Sequence, residues 1–107
     1  MIIPENKENL EFIRQQEGSF VFFFEAGWCS DCTFIKPFMP EIEAANPDFK
    51  FVQVDRDEYI DLAQEWDIFG IPSFVVLHDG KEIGRLVNKA RKTKEEINLF
   101  LSGLKGK

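Results

Sequence analysis

The stretch Ser19 to Pro37, SFVFFFEAGWCSDCTFIKP, begins as a continuous apolar run, turns at Gly27 and passes into a helical pattern. Both cysteines of the chain, Cys29 and Cys32, lie at that turn. A short apolar run ended by glycine reads as a strand covered on both faces. Residues three apart share a helix face, so Cys29 at a helix entrance and Cys32 in its first turn can bring their sulfurs within bonding reach. Unpaired N–H groups and the helix dipole at that end favour a thiolate, the form of sulfur that attacks. The loop leaving the carboxyl end of a strand is also where open α/β sheets carry out their chemistry. Two other readings stand beside a redox pair: small buried hydrophobes, or half of a metal site. Zinc requires about four ligands, and the single histidine, His78, lies beyond another strand and helix, so no metal is expected.

Working outward, FKFVQVD (Phe49 to Asp55) alternates apolar and polar residues and predicts a second strand. PSFVVLHDGKEIGRLV, from Pro72, divides at Asp79-Gly80 into two strands joined by a tight turn, since glycine supplies the positive φ such turns need. Helical spacing covers Lys7 to Gln16, with Leu10, Phe12 and Ile13 toward a core, and Thr33 to Ala45, with Phe34, Phe38, Ile42 and Ala45 on one face. DEYIDLAQEW and TKEEINLFL complete the helices, the latter opening on a Thr93/Glu96 capping-box spacing. Pro37 should kink its helix and Pro40 should interrupt it again. Strands separated by helices pair in parallel and a hairpin pairs antiparallel, which predicts a mixed central sheet with helices on both faces, an α/β fold. Gly103 to Lys107 is expected to be a frayed tail.

With 107 residues, 44% of them apolar and twelve of them phenylalanine, the chain fits one domain spanning 1–107 whose core needs no disulfide or metal. A net charge of −6 disfavours nucleic acid and anionic membrane as partners. No basic-then-apolar leader and no membrane-spanning run is seen, so a cytoplasmic location is expected.

FEAGWCSDC, Pro37, GIPSF (Gly70 to Phe74) and the HDGKEIGRL hairpin together resemble the thioredoxin family over nearly the whole chain. The resemblance implies the thioredoxin fold and thiol–disulfide exchange. Cys29 would be the nucleophile, Cys32 the resolving thiol, and Ile71–Pro72 a cis bond whose backbone pairs with substrate. Trp28 would offer partners a flat apolar contact. No bound cofactor is implied; the partners would be disulfide-containing proteins or small thiols and a recycling reductase, with the chain acting as a monomer. The reading is a disulfide reductase. Its alternative is a redox-sensing or adaptor module on the same fold.

Several residues depart from the family pattern. The buried aspartate–lysine pair that many members use to move the resolving thiol's proton aligns with Phe23 and Phe51. Glu25, Asp31 or water would then have to accept that proton. Asp31 also favours the helix N-terminus while placing a negative charge near Cys29, where it would modulate the acidity of that thiol. Asn88 stands where the family usually has glycine. It is followed by Lys89, Arg91, Lys92 and Lys94, read either as a solvated loop or as a basic rim that attracts anionic partners. The acidic DRDEYID segment reads as surface.

Overall fold

Strand β1 (Ser19–Glu25) lies inside a four-stranded sheet of order β2-β1-β3-β4, formed with β2 (Lys50–Asp55), β3 (Ser73–His78) and β4 (Lys81–Leu86). The computed structural model describes residues 1–105. β1 pairs parallel to β2 and antiparallel to β3, and β3 pairs antiparallel to β4, which gives the mixed sheet the connections demand. Asp79 and Gly80 both take positive φ, 51° and 81°, so the β3–β4 turn has the handedness that suits twisted strands.

Five α-helices are found among the described residues: α1 (Lys7–Arg14), α2 (Ser30–Ile35), α3 (Met39–Ala45), α4 (Ile60–Glu65) and α5 (Lys94–Ser102). The β1 side chains explain its uninterrupted apolar run. Phe20, Phe22 and Phe24 enter a core with Leu10 and Ile13 of α1 and Leu62 and Ala63 of α4. Val21 and Phe23 enter a second core, with Ile35, Met39 and Ile42 on one side and Ile97 and Leu101 of α5 on another. Helices therefore cover both faces. The Asn6 side chain accepts from the Asn9 amide at 2.8 Å to start α1, and Thr93 accepts from the Glu96 amide at 3.1 Å to start α5.

The structure corrects four expectations. Phe12 projects from α1 into solvent, leaving Leu10 and Ile13 to hold the helix. In the segment after the cysteines the buried face is Cys32, Ile35, Met39 and Ile42; Phe34 and Phe38 lie on the outer side with rings 5.8 Å apart, and Ala45 is exposed. Pro37 does break that helix, in a 3₁₀ turn over Lys36–Phe38, but Pro40 makes no second break. It lies in the first turn of α3, where a missing N–H forfeits no helical bond. Nor is Gly103 onward a loose tail throughout: Leu104 is buried, and a Cβ on Gly84 would meet its side chain at 2.8 Å. Gly106 and Lys107 of that expected tail lie outside the described residues. An unforeseen feature is Ile2, which pairs parallel to Val52 and satisfies part of the outer edge of β2.

Candidate active site

β1 ends at Glu25, and four residues later Cys29 caps α2. Its backbone is extended (φ −85°, ψ 114°), and its Sγ accepts from the Cys32 amide at 3.2 Å, a sulfur in the position a capping oxygen usually takes. Cys29 and Cys32 are both free thiols; Cys29 is 7% exposed and Cys32 is fully buried behind it. The spacing reading thus holds: the two sulfurs are neighbours on one helix entrance, with one outermost.

Across from Cys29 runs the loop Ile68–Pro72. The Ile71–Pro72 peptide is cis, and the Ile71 carbonyl oxygen lies 3.7 Å from Cys29 Sγ. Ile68 to Ile71 of this loop, with Trp28 and Lys89, line a groove that opens on Cys29. Trp28 is 67% exposed, so it is no core residue, and its indole N–H donates to Asp57 Oδ2 at 2.6 Å. That bond, with help from Arg56, holds the Asp57 carboxyl below its ordinary range. Arg56 also stands 6.0 Å from the Trp28 ring and lines the same groove. Phe69, 63% exposed, is a second flat apolar surface beside the cysteine.

Cys32 has its pKa pushed up to about 12, first by burial, then by its hydrogen bond to Cys29, and further by the charges of Cys29 and Glu25. Phe23 and Phe51 are buried in the second core, where Phe23 stacks on Phe74 with centroids 5.1 Å apart, and no charge is found at either position. The nearby acid is Glu25. Side chains alternate along a strand, so Glu25 shares the face of Phe23 but lies one repeat nearer the cysteines. It is 2% exposed, with Lys36, the first residue of the 3₁₀ turn, as ion-pair partner. Its Oε1 is the oxygen that meets the Lys36 ammonium. Glu25 is therefore a buried acid at the end of the strand, not a solvated one.

Asp31 is held by Arg91, whose Nε donates to Oδ1 at 2.9 Å while its guanidinium covers the Phe34 ring at 4.4 Å. This pairing removes most of the reason to expect a bare negative charge at Asp31. The basic run is solvated only in part: Lys89 and Arg91 are exposed, with Lys89 lining the groove and Arg91 paired to Asp31, Lys94 pairs with Glu41 at 2.9 Å, and Lys92 is fully buried. A backbone approach fixes the loop. A Cβ on Gly70 would stand 2.7 Å from the Asn88 carbonyl carbon, so Asn88 replaces the usual glycine while the space is conceded by Gly70.

Sequence reasoning missed Lys36, Arg56, Asp57 and Phe69 as neighbours of the site. Only Phe69 carried a local signal, a large apolar residue directly before the Gly-Ile-Pro loop. His78 is at the far end of β3 from the cysteines, bonded to Ser19 at 2.9 Å, and among the described residues no three potential ligands gather to hold a metal. No described helix is long and apolar enough to cross a membrane.

The family model described as Thioredoxin matches residues 1–102. Thioredoxin H2-2 of Oryza sativa subsp. japonica is 34% identical over 83 residues, covering 77% of this chain and 62% of the relative. The Thioredoxin H-type of Fagopyrum esculentum is 34% identical over 90 residues, covering 84% of this chain and 77% of the relative. The chain thus spans less than two thirds of the first and more of the second. Among solved structures, thioredoxin NaTrxh from Nicotiana alata superposes with a TM-score of 0.83 at 28% identity, over 96% of this chain and 90% of that one.

Proposed function

Because this chain belongs to the thioredoxin family, we propose that it is a thiol–disulfide oxidoreductase that reduces disulfides of proteins or small thiols through Cys29 and Cys32. The observation that carries this is the nested pair of thiols, one lining an open groove and the other buried directly behind it with its amide on the first sulfur.

Cys29 Sγ, as thiolate, attacks one sulfur of the substrate disulfide; that S–S bond breaks, and the departing thiolate takes a proton from water. A mixed disulfide on Cys29 remains. Cys32 must then attack Cys29 Sγ, but a thiol with a pKa of about 12 carries almost no thiolate at neutral pH. Forming the mixed disulfide already removes the Cys29 charge that opposes ionisation of Cys32. Glu25 supplies the rest by accepting the Cys32 proton, which cancels its own opposing charge in the same step. The second substrate thiolate leaves and is protonated, and the Cys29–Cys32 disulfide awaits two electrons and two protons from a recycling reductase or a small thiol.

Substrate is held by the backbone of Ile71 and Pro72 as a short added strand, with Trp28 and Phe69 flanking the sulfur and Arg56 and Lys89 favouring carboxylates near it. The chain works as one domain, as a monomer, in a reducing cytoplasm and without a bound cofactor. The absence of an ion pair at Phe23 and Phe51 is the one feature that favours the adaptor reading, and the buried Glu25 offsets it. A disulfide-reduction assay tests the proposal: turnover by the native chain that is lost in Cys29→Ser supports it, and equal rates in the two refute it.

A further inference from the structure

Four polar or charged residues are buried among those described: Glu25, Asn46, Ser73 and Lys92. Two of them carry formal charge: Glu25, whose charge opposes ionisation of Cys32, and Lys92, whose ammonium the two cysteines act to keep charged. Lys92 has no part in the exchange steps above, and a fully buried lysine without an ion-pair partner within 4 Å is rare. Its ammonium is instead solvated by its own loop. Nζ donates to the Asn88 carbonyl at 3.0 Å, to Asn88 Oδ1 at 2.9 Å and to the Ala90 carbonyl at 2.7 Å, which uses all three of its donors. Asn88 Oδ1 also accepts the Ala90 amide at 2.9 Å, so the cage is closed on itself.

This cage stands against the site. Asn88 packs on Gly70, next to the residue whose carbonyl faces Cys29, and Arg91 ties the same loop to Asp31, between the cysteines. The groups acting on the ammonium are Glu96 of α5, Asp31 of α2 and the two cysteines. Burial pulls it below the ordinary lysine range while these four act to hold it charged. Neutral dipoles hold the Lys92 charge in place but do not cancel it, and a buried charge is screened little by salt.

We infer that Lys92 is a positioning residue whose caged ammonium stabilises the anionic, reduced form of the Cys29–Cys32 pair and so sets its redox equilibrium. The inference rests on the exchange reading above. The disulfide is uncharged, so a fixed cation beside the sulfurs favours the dithiol whenever one sulfur is a thiolate, and it loses this effect when both are protonated. It gains nothing from the oxidised form.

The test equilibrates the native chain and Lys92→Met with mixtures of reduced and oxidised glutathione. In this reaction Cys29 and Cys32 give up two protons and two electrons, and glutathione disulfide takes both to become two thiols. At alkaline pH the variant should shift about tenfold toward the intramolecular disulfide, which is about 30 mV for a two-electron couple. At acid pH the shift should vanish. An unchanged equilibrium at both pH values overturns the inference, and so does an equal shift at both, which would mark a purely structural role. If Lys92→Met does not fold, the native chain still decides the matter. Coupling between sites is reciprocal, so the side-chain NMR titration of Lys92 should have a lower midpoint in the oxidised than in the reduced form; identical midpoints refute it. Failure of the native chain to form any intramolecular disulfide would instead refute the exchange reading itself.

Discussion

The two buried charged residues among those described, Glu25 and Lys92, stand in opposite structural settings. Glu25 stands at the end of a central strand and is paired with a lysine that is itself 40% exposed. Lys92 stands in a connecting loop and is surrounded by two carbonyls and an amide oxygen of that loop. The first has a partly exposed counter-ion, Lys36, against its Oε1. The second has every donor satisfied by groups that do not titrate. A buried carboxylate beside an exposed counter-ion and an ammonium enclosed by neutral dipoles fit the two tasks proposed above, moving a proton and holding a field.

Glu25→Gln breaks the first half of this contrast and carries the largest expected effect. Initial attack by Cys29 should be unchanged while resolution of the mixed disulfide slows by about 100-fold, the ordinary size of a lost acid–base group. Single-turnover release of product measures it directly, and an unchanged release rate removes Glu25 from the mechanism. Lys36→Met sharpens the comparison by stripping the counter-ion. Because Lys36 is substantially exposed, the loss should be only about 1 kcal/mol, seen as a fall in Tm of roughly 4 °C for a chain this size.

Asp31→Asn should do less. Its charge is already countered by Arg91, so the alkylation rate of Cys29 should change by less than about threefold, in line with the modest worth of exposed ion pairs. A much larger acceleration would mean that Asp31 acts unpaired. The smallest effect concerns Trp28. Asp57 is held below the ordinary carboxyl range by the indole bond, so that contribution is complete above the ordinary carboxyl pKa and fades as pH falls through the depressed value. The Trp28 indole N–H resonance should stay fixed across neutral pH and shift only below about pH 4. A shift at neutral pH would contradict the tether.

These predictions draw on features of unequal visibility in the sequence. The cysteine pair, the Asp79-Gly80 turn and the apolar run of β1 could be read because each depends on local chemistry: helix spacing, positive φ, and coverage on two faces. The face of the segment after Cys32 could not, because the bulk of Phe34 and Phe38 suggests burial, whereas the 3₁₀ turn at Pro37 sets a phase that buries Ile35, Met39 and Ile42. Pro40 looked like a second break because one continuous helix was expected, whereas the turn at Pro37 starts a new helix whose first turn tolerates a proline. Single long-range contacts left no pattern to find, as with Ile2 on the edge of β2 or Leu104 over Gly84. In the site, Glu25 was identifiable by its distance from Cys29, but its burial and its partner Lys36 required the fold. Lys92 was harder still. Among Lys89, Arg91 and Lys94 it looks like one more solvated charge, and its burial follows from how the loop seats on Gly70.

The central claim is that Cys29 and Cys32 interchange one covalent bond. Mass spectrometry of the native chain across a series of glutathione redox buffers tests it most directly. The account predicts one transition between a dithiol and a form lighter by two hydrogens, with the new bond mapped to Cys29 and Cys32. A chain that stays a dithiol throughout, or that accumulates only glutathione adducts, would contradict it.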